Sequence, residues 1–247
     1  QETLNILACD NFRKQADYDY ISARNNYRME LRQQFLWMCQ QAIEKYLKAI
    51  LLFNGLSSRY INIEIRKGKN IEFGHDLVKL FSKIKQIDYL HFSFDAEIVK
   101  FLEYLNDFGA KNRYMSYFSY VDSRAIQTLD KAVWHIRKYC RNFNIEILSD
   151  GQRINIRDQL IKQILSPEFI NHSSKYKIAS GELEKILRKP KKNHARISLV
   201  WANRYFSDRI RKGVKFVSYA SSEIPPQNRD WFKNEVDRNE IEKYIKF

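Results

Sequence analysis

The densest run of side chains able to hold a ligand lies between Lys185 and Lys215. Arg188, Lys189, Lys191, Lys192, Arg196, Arg204, Arg209, Arg211 and Lys212 fall within it, with Asp208 as its single acid, and Trp201, Tyr205 and Phe206 interleave. Cations hold phosphates and aromatic faces stack on bases, so the mixture suits a nucleic acid. The plainer reading is a solvated helix whose aromatics pack on the rest of the fold. The stretch NRYMSYFSY (112–120) poses the same choice. Its aromatics, Tyr114 among them, suit a loop packed on a helical body, while Lys111 and Arg113 can still face a ligand.

Other site chemistry is sparse. The five histidines form no metal-ligand spacing and no cysteine supports one, so no metal and no cofactor are expected. Phosphate-cradling glycine loops and a Gly-x-Ser-x-Gly elbow are absent. His75 precedes a helical pattern, where a helix-cap hydrogen bond and a ligand contact are both open to it. The net charge of +14 favours a polyanionic partner, RNA or DNA above all, although a lysine-rich composition can also reflect the genome. Cys9, Cys39 and Cys140 lie far apart and cannot all pair within one chain, which suits a reducing cytoplasm. No segment approaches the length of a membrane-spanning apolar run, and no secretion leader is visible.

The elements that must position these residues are mainly helices. Glycine and proline are scarce, at 7 and 4 of 247 residues, which disfavours a turn-rich sandwich. QQAIEKYLKAILLFNG (40–55) shows the pattern best. Around a helix axis, Gln41, Glu44, Lys45 and Lys48 fall on one arc, with Ile43, Leu47 and Ile50 among the apolar residues opposite. The spacing predicts a helix over 32–53, an i,i+4 pair from Glu44 to Lys48, and a left-handed stop at Asn54-Gly55. Trp37, Leu51 and Leu52 fall on or beside the polar stripe. They either cover a neighbouring element or form a self-association face. Further helices are expected at 11–27 (capped by Asp10 or Asn11), 74–87, 94–109 and 121–143 (capped by Asp122 or Ser123). A strand or extended connection is expected around Ile61, Ile63 and Ile65. Short loops between helices imply an all-α, up-and-down antiparallel bundle.

The segments ADYDYISARNNY (16–27), FLWMCQQAIEKYLKAILLFNG (35–55), GHDLVKLF (74–81) and AKNRYMSY (110–117) occur in that order. In order and spacing they resemble the HEPN family (higher eukaryotes and prokaryotes nucleotide-binding). The resemblance covers about residues 10–143 and rests on Ala23-Arg24, Gln41 to Leu51, His75-Asp76-Leu77 and Arg113-Tyr114. Met115 departs from it, standing where many relatives have proline. It implies a helical bundle, often a homodimer. Many relatives are metal-independent RNases of toxin-antitoxin or defence systems, and others are binding modules or partners of nucleotidyltransferases. Catalytic relatives carry Arg-x(4–6)-His near the last core helix, where histidine takes the 2′-hydroxyl proton and arginine stabilises the phosphorane. Only His194 has an arginine at that distance, Arg188 in RKPKKNH, and this pair lies past the bundle. Chance supplies about one such match in a chain of this composition.

The sequence therefore divides into a HEPN-like bundle, residues 1–145, and a basic, mostly helical extension, residues 146–247. Helices are expected at 156–169, 180–189 (capped by Ser180), 195–220 (with a change to strand after Gly213 left open) and from about 228 to the end. Two functions follow from the resemblance and the charge. One is a module that binds RNA, a nucleotide or a partner protein, with Arg24, His75, Lys111, Arg113, Tyr114, Lys191, Lys192 and Arg196 as contacts. The partner could be an antitoxin or nucleotidyltransferase, with Trp37, Leu51 and Leu52 joining a homodimer. The other is an RNase with an atypical or displaced site, for which Arg24, His75, Arg113 or the pair of Arg188 and His194 are the catalytic candidates.

Overall fold

A computed structural model describes residues 1–62, 71–109, 124–166, 178 and 181–206. The positions of Ile63, Ile65, Lys111, Arg113, Tyr114, Asp122, Ser123 and Ser180, and all residues beyond Phe206, lie outside the described residues. Helix begins almost at the first residue. Helix α1 (Glu2–Leu7) runs into a π-helical turn (Ala8–Arg13) and on into α2 (Lys14–Arg28). The expected cap at Asp10 or Asn11 is absent because no helix starts there. The wide turn instead brings Arg13 inward, where Nη1 donates to the Cys140 carbonyl at 3.0 Å and Nη2 to Cys9 Sγ at 2.9 Å.

Helix α3 (Arg32–Phe53) has the bounds its periodicity predicts. Ile43, Leu47 and Ile50 are fully buried. Asn54 Nδ2 donates to the Ile50 carbonyl at 2.6 Å, and Gly55 turns the chain at φ +72°, the left-handed region that glycine enters without a Cβ penalty. Contacts between α2 and α3 descend in order: Tyr27 meets Phe35 at 5.0 Å between ring centroids, Asp19 pairs with Lys45, and Asp17 accepts from Tyr46. The two helices are thus antiparallel. A two-stranded ribbon follows, β1 (Tyr60–Asn62) against β2 (Ile71–Glu72). Helix α4 (Leu77–Lys85) is capped by Asp76, which accepts from the Lys79 N–H at 2.9 Å. Helix α5 (Ala96–Phe108) is capped by Asp95, and α6 (Ala125–Arg137) completes the bundle.

Two features of the extension depart from its expected helical character. A hairpin of β3 (Glu146–Ser149) and β4 (Gln152–Asn155) precedes α7 (Arg157–Leu165). Asp150 and Gly151 both have positive φ, 51° and 77°, the two-residue turn whose twist matches paired strands. The second departure concerns 195–220. After α8 (Glu182–Arg188), helix α9 (His194–Val200) ends after seven residues, and the chain turns at Ala202, φ +51°. Gly181, rather than Ser180, precedes α8 as its N-cap residue.

Candidate functional site

Helices α2 and α6 carry the same spacing of charges: Asp17 and Arg24 on one, Asp130 and Arg137 on the other. Seven residues is about two helical turns, so each helix presents an acid and a base on one face. Running antiparallel, the faces pair crosswise. Arg24 Nη1 meets Asp130 Oδ1, and Arg137 holds both oxygens of Asp17 at 2.7 and 2.8 Å. All four residues are buried. Tyr20 donates to Asp130 at 2.6 Å, and Tyr46 to Asp17 at 2.6 Å.

Residues 181–206 close over this seam and bond directly to three of its four charges, Asp17, Arg24 and Arg137. Glu184 accepts two bonds from Arg137 at 2.7 and 2.8 Å. The Glu182 and Leu183 N–H groups donate to Asp17 Oδ2 at 3.1 and 3.3 Å, so Asp17 satisfies N–H groups at the start of α8 that have no partner within the helix. Arg24 donates Nε to the Ser198 carbonyl at 2.7 Å and Nη2 to the Trp201 carbonyl. Asn203 donates to Tyr20 Oη at 2.8 Å. Burial opposes the Arg137 charge, but Asp17 and Glu184 outweigh it and hold the guanidinium well above its ordinary pKa. Burial likewise opposes the Glu184 carboxylate, and Arg137 outweighs it, so Glu184 titrates below the usual range. At Asp130 burial prevails over Arg24 and the pKa rises; its Oδ2 has no hydrogen-bond partner among the described residues.

The aromatics of this segment pack inward. Tyr205 stacks on Trp134 at 6.0 Å, Phe206 lies 5.9 Å from Tyr20 and 5.7 Å from Trp134, and Trp201 lies 6.5 Å from Tyr27. The plainer sequence reading therefore describes them. The cations are placed differently. Arg188, the last residue of α8, and Lys189, Lys191 and Lys192, on the turn to α9, stand exposed, and none pairs with a carboxylate among the described residues. The turn is braced from within: Arg196 Nη1 donates to the Lys189 carbonyl at 2.7 Å, the Asn193 N–H to the Pro190 carbonyl at 2.9 Å, and the Asn193 side chain caps α9. His194 is exposed at the first turn of α9, so the Arg188 and His194 candidates lie on the two sides of this turn.

The remaining candidates divide between core and surface. Arg24 is fully buried and its guanidinium is occupied by the seam, which leaves it no face toward a nucleic acid. Leu51 and Leu52 lie in the chain's own core, leaving no surface for a second chain, while Trp37 is half-buried. Their off-stripe position follows from how much of α3 is covered: even Gln40 and Glu44 are buried. Glu44 thus does not belong to a solvent stripe. It accepts from Lys48 at 2.6 Å, as its spacing predicts, and lies 2.9 Å from His75 Nδ1. His75 does not cap α4, a role taken by Asp76. Lys111, Arg113 and Tyr114 are outside the described residues.

The repeated Asp-x(6)-Arg spacing of the seam is visible in the sequence, but the pairing that gives it a role is not. A family comparison bears on the same helices. The HEPN domain model matches residues 10–64. That HEPN segment contains α2, α3 and β1, and with them Asp17, Arg24 and Glu44. The partners of those residues, His75, Asp130, Arg137 and Glu184, lie beyond the HEPN match, in a part of the chain with no family match. No curated protein and no solved structure matches the chain. Among the described residues no group of histidine, cysteine and acidic side chains is arranged to hold a metal, and no helix is long and apolar enough to cross a membrane.

Proposed function

We propose that the protein is a HEPN-type module that binds RNA through the basic turn joining α8 to α9. One observation carries this reading: four cations stand within five consecutive residues, Arg188 to Lys192, on a turn braced by Arg196 and Asn193, without carboxylate partners among the described residues. Unpaired surface cations at this density gain more from phosphates than from solvent, because each phosphate contact releases condensed counterions. The overall charge of +14 acts in the same direction. Lys191, Lys192 and Arg196 keep their proposed roles, and Arg188 and Lys189 join them. A homodimer, an antitoxin or nucleotidyltransferase partner, and a toxin-antitoxin or defence setting extend the proposal on the strength of the HEPN resemblance.

Fluorescence anisotropy with a labelled single-stranded oligouridylate at several salt concentrations tests the reading. Replacing Arg188, Lys189, Lys191 and Lys192 together by alanine should weaken binding and flatten the dependence of log K on log salt by roughly 2–3 units, at about 0.7 per lost single-strand phosphate contact. Equal affinity and slope in the two proteins would rule the turn out as the RNA contact.

A further inference from the structure

The hairpin of β3 and β4 stands off the helical body. Buried Phe143 anchors it at one end of the chain, and buried Ile161 and Ile164 of α7 at the other, while all of β4 and all of β3 except Ser149 is exposed. Glu146 lies against Asn155, Ile147 against Ile154, Leu148 against Arg153 and Ser149 against Gln152. Ile147 and Ile154 therefore share one face, 44% and 42% exposed. Leu148, on the other face, is 75% exposed, the highest value for a large apolar side chain among the described residues. Neither strand has a second neighbour among the described residues. An apolar ribbon two strands wide with open edges is a template for a further strand.

The turn decides which backbone groups are free. A two-residue loop makes Ser149 and Gln152 a hydrogen-bonded pair, and such pairs alternate along the ladder. Ile147 with Ile154 and Ile145 with Ile156 are then hydrogen-bonded pairs too, in agreement with the Ile156 N–H donating to the Ile145 carbonyl at 3.0 Å. The N–H and C=O groups of Glu146 and Leu148 consequently point outward from β3. Two copies of this edge, related by a two-fold axis normal to the sheet, can oppose only residues of the same face. A register centred on Ile147 joins the outward groups of Glu146 to those of the partner's Leu148. It sets the two Ile147 side chains against each other and widens the apolar stripe to four residues. On the opposite face Leu148 then lies between its own Arg153 and the partner's Glu146, so opposite charges flank the apolar contact. A register centred on Leu148 would instead set Glu146 against the partner's Asp150, like against like. Pairing through β4 would leave Leu148 in water.

We propose that the hairpin is a homodimerisation element, in which β3 pairs antiparallel with β3 of a second copy, Ile147 at the two-fold axis, to form a four-stranded sheet. The hairpin lies outside the HEPN match, so the family resemblance does not imply this surface. The inference rests on the homodimer proposed above, to which it gives a contact, and is independent of the RNA reading. A strand edge is small beside the roughly 1,200 Å² that a stable interface buries, so the dimer forms in a concentration-dependent way.

Sedimentation velocity on the full-length protein across the micromolar range should show a monomer–dimer equilibrium. Ile147→Lys, which opposes two ammonium groups at the axis, should raise the dissociation constant about tenfold or more. Leu148→Pro should do the same and leave the melting midpoint in place, since the N–H it deletes faces outward from an edge strand. A cross-link gives a positive readout. Residues opposed at a non-hydrogen-bonded site lie about 4.5 Å apart at Cα, within disulfide range. Ile147→Cys should therefore form a covalent dimer on oxidation, and Ser149→Cys, at the end of the strand remote from its copy, should not. A protein that stays monomeric would overturn the inference and the homodimer together. A dimer indifferent to Ile147→Lys and Leu148→Pro would keep the homodimer, place its contact elsewhere and overturn the inference alone. Cross-linking through Ile154→Cys in place of Ile147→Cys would move the contact to β4 and overturn it likewise.

Discussion

Arg24 shows how much a single residue contributes. Its guanidinium links Asp130 on α6 to the Ser198 and Trp201 carbonyls, so one side chain joins three parts of the fold. Removing it strands a buried carboxylate and two carbonyls. Arg24→Met should cost about 3–5 kcal/mol in chemical denaturation, the usual penalty for an orphaned buried charge. Pairing it with Asp130→Leu should recover part of that loss, since both charges then leave together; a double variant no more stable than the single one would argue against the pairing. The residue identities were legible here, but the role was not. An arginine near the end of a helix suggests a ligand contact until its partner is known, and that partner lies more than a hundred residues away.

At the scale of elements, the close approach of α8 to the seam depends on Gly181. A Cβ at this position would lie 2.0 Å from Glu184 Oε2 and 2.6 Å from Arg137 Nη2, inside the ion pair. Gly181→Ala should therefore lower the unfolding midpoint, at a cost on the order of 1–3 kcal/mol from overpacking. An unchanged midpoint would mean that α8 is not seated as described. Element type was readable where periodicity was strong. Helix α3 needed only its apolar spacing and the Asn54-Gly55 stop, because a long amphipathic pattern has few alternatives. The 195–220 pattern misled because α9 ends in a tertiary contact: the Trp201 carbonyl accepts from Arg24 where an extended helix would use it internally. The hairpin at 146–155 did have a local signal in Asp150-Gly151, which composition arguments about scarce glycine obscured.

Across the whole molecule, the buried groups of α6 tie stability to pH. His135 is held down to about 4 from an ordinary value near 6.5, chiefly by burial and then by Lys138 and Lys131, with Asp95 opposing. The unfolded chain takes up this proton first. The stability contribution is therefore present above pH 6.5 and is lost as the pH falls toward 4. The wild-type protein should lose roughly 2–3 kcal/mol more than His135→Gln between pH 7 and pH 4. Parallel pH profiles for the two proteins would contradict the burial of this ring.

The charged seam makes α8 and α9 a continuation of the bundle, and this holds the basic turn in one orientation relative to α2 and α6. Hydrogen–deuterium exchange on the full-length chain, with and without a single-stranded oligouridylate, tests that account most directly. RNA should slow exchange at the amides of residues 186–196 and leave the hairpin at 146–155 unchanged. Exchange in 186–196 that is indifferent to RNA, or protection that appears on the hairpin instead, would contradict it.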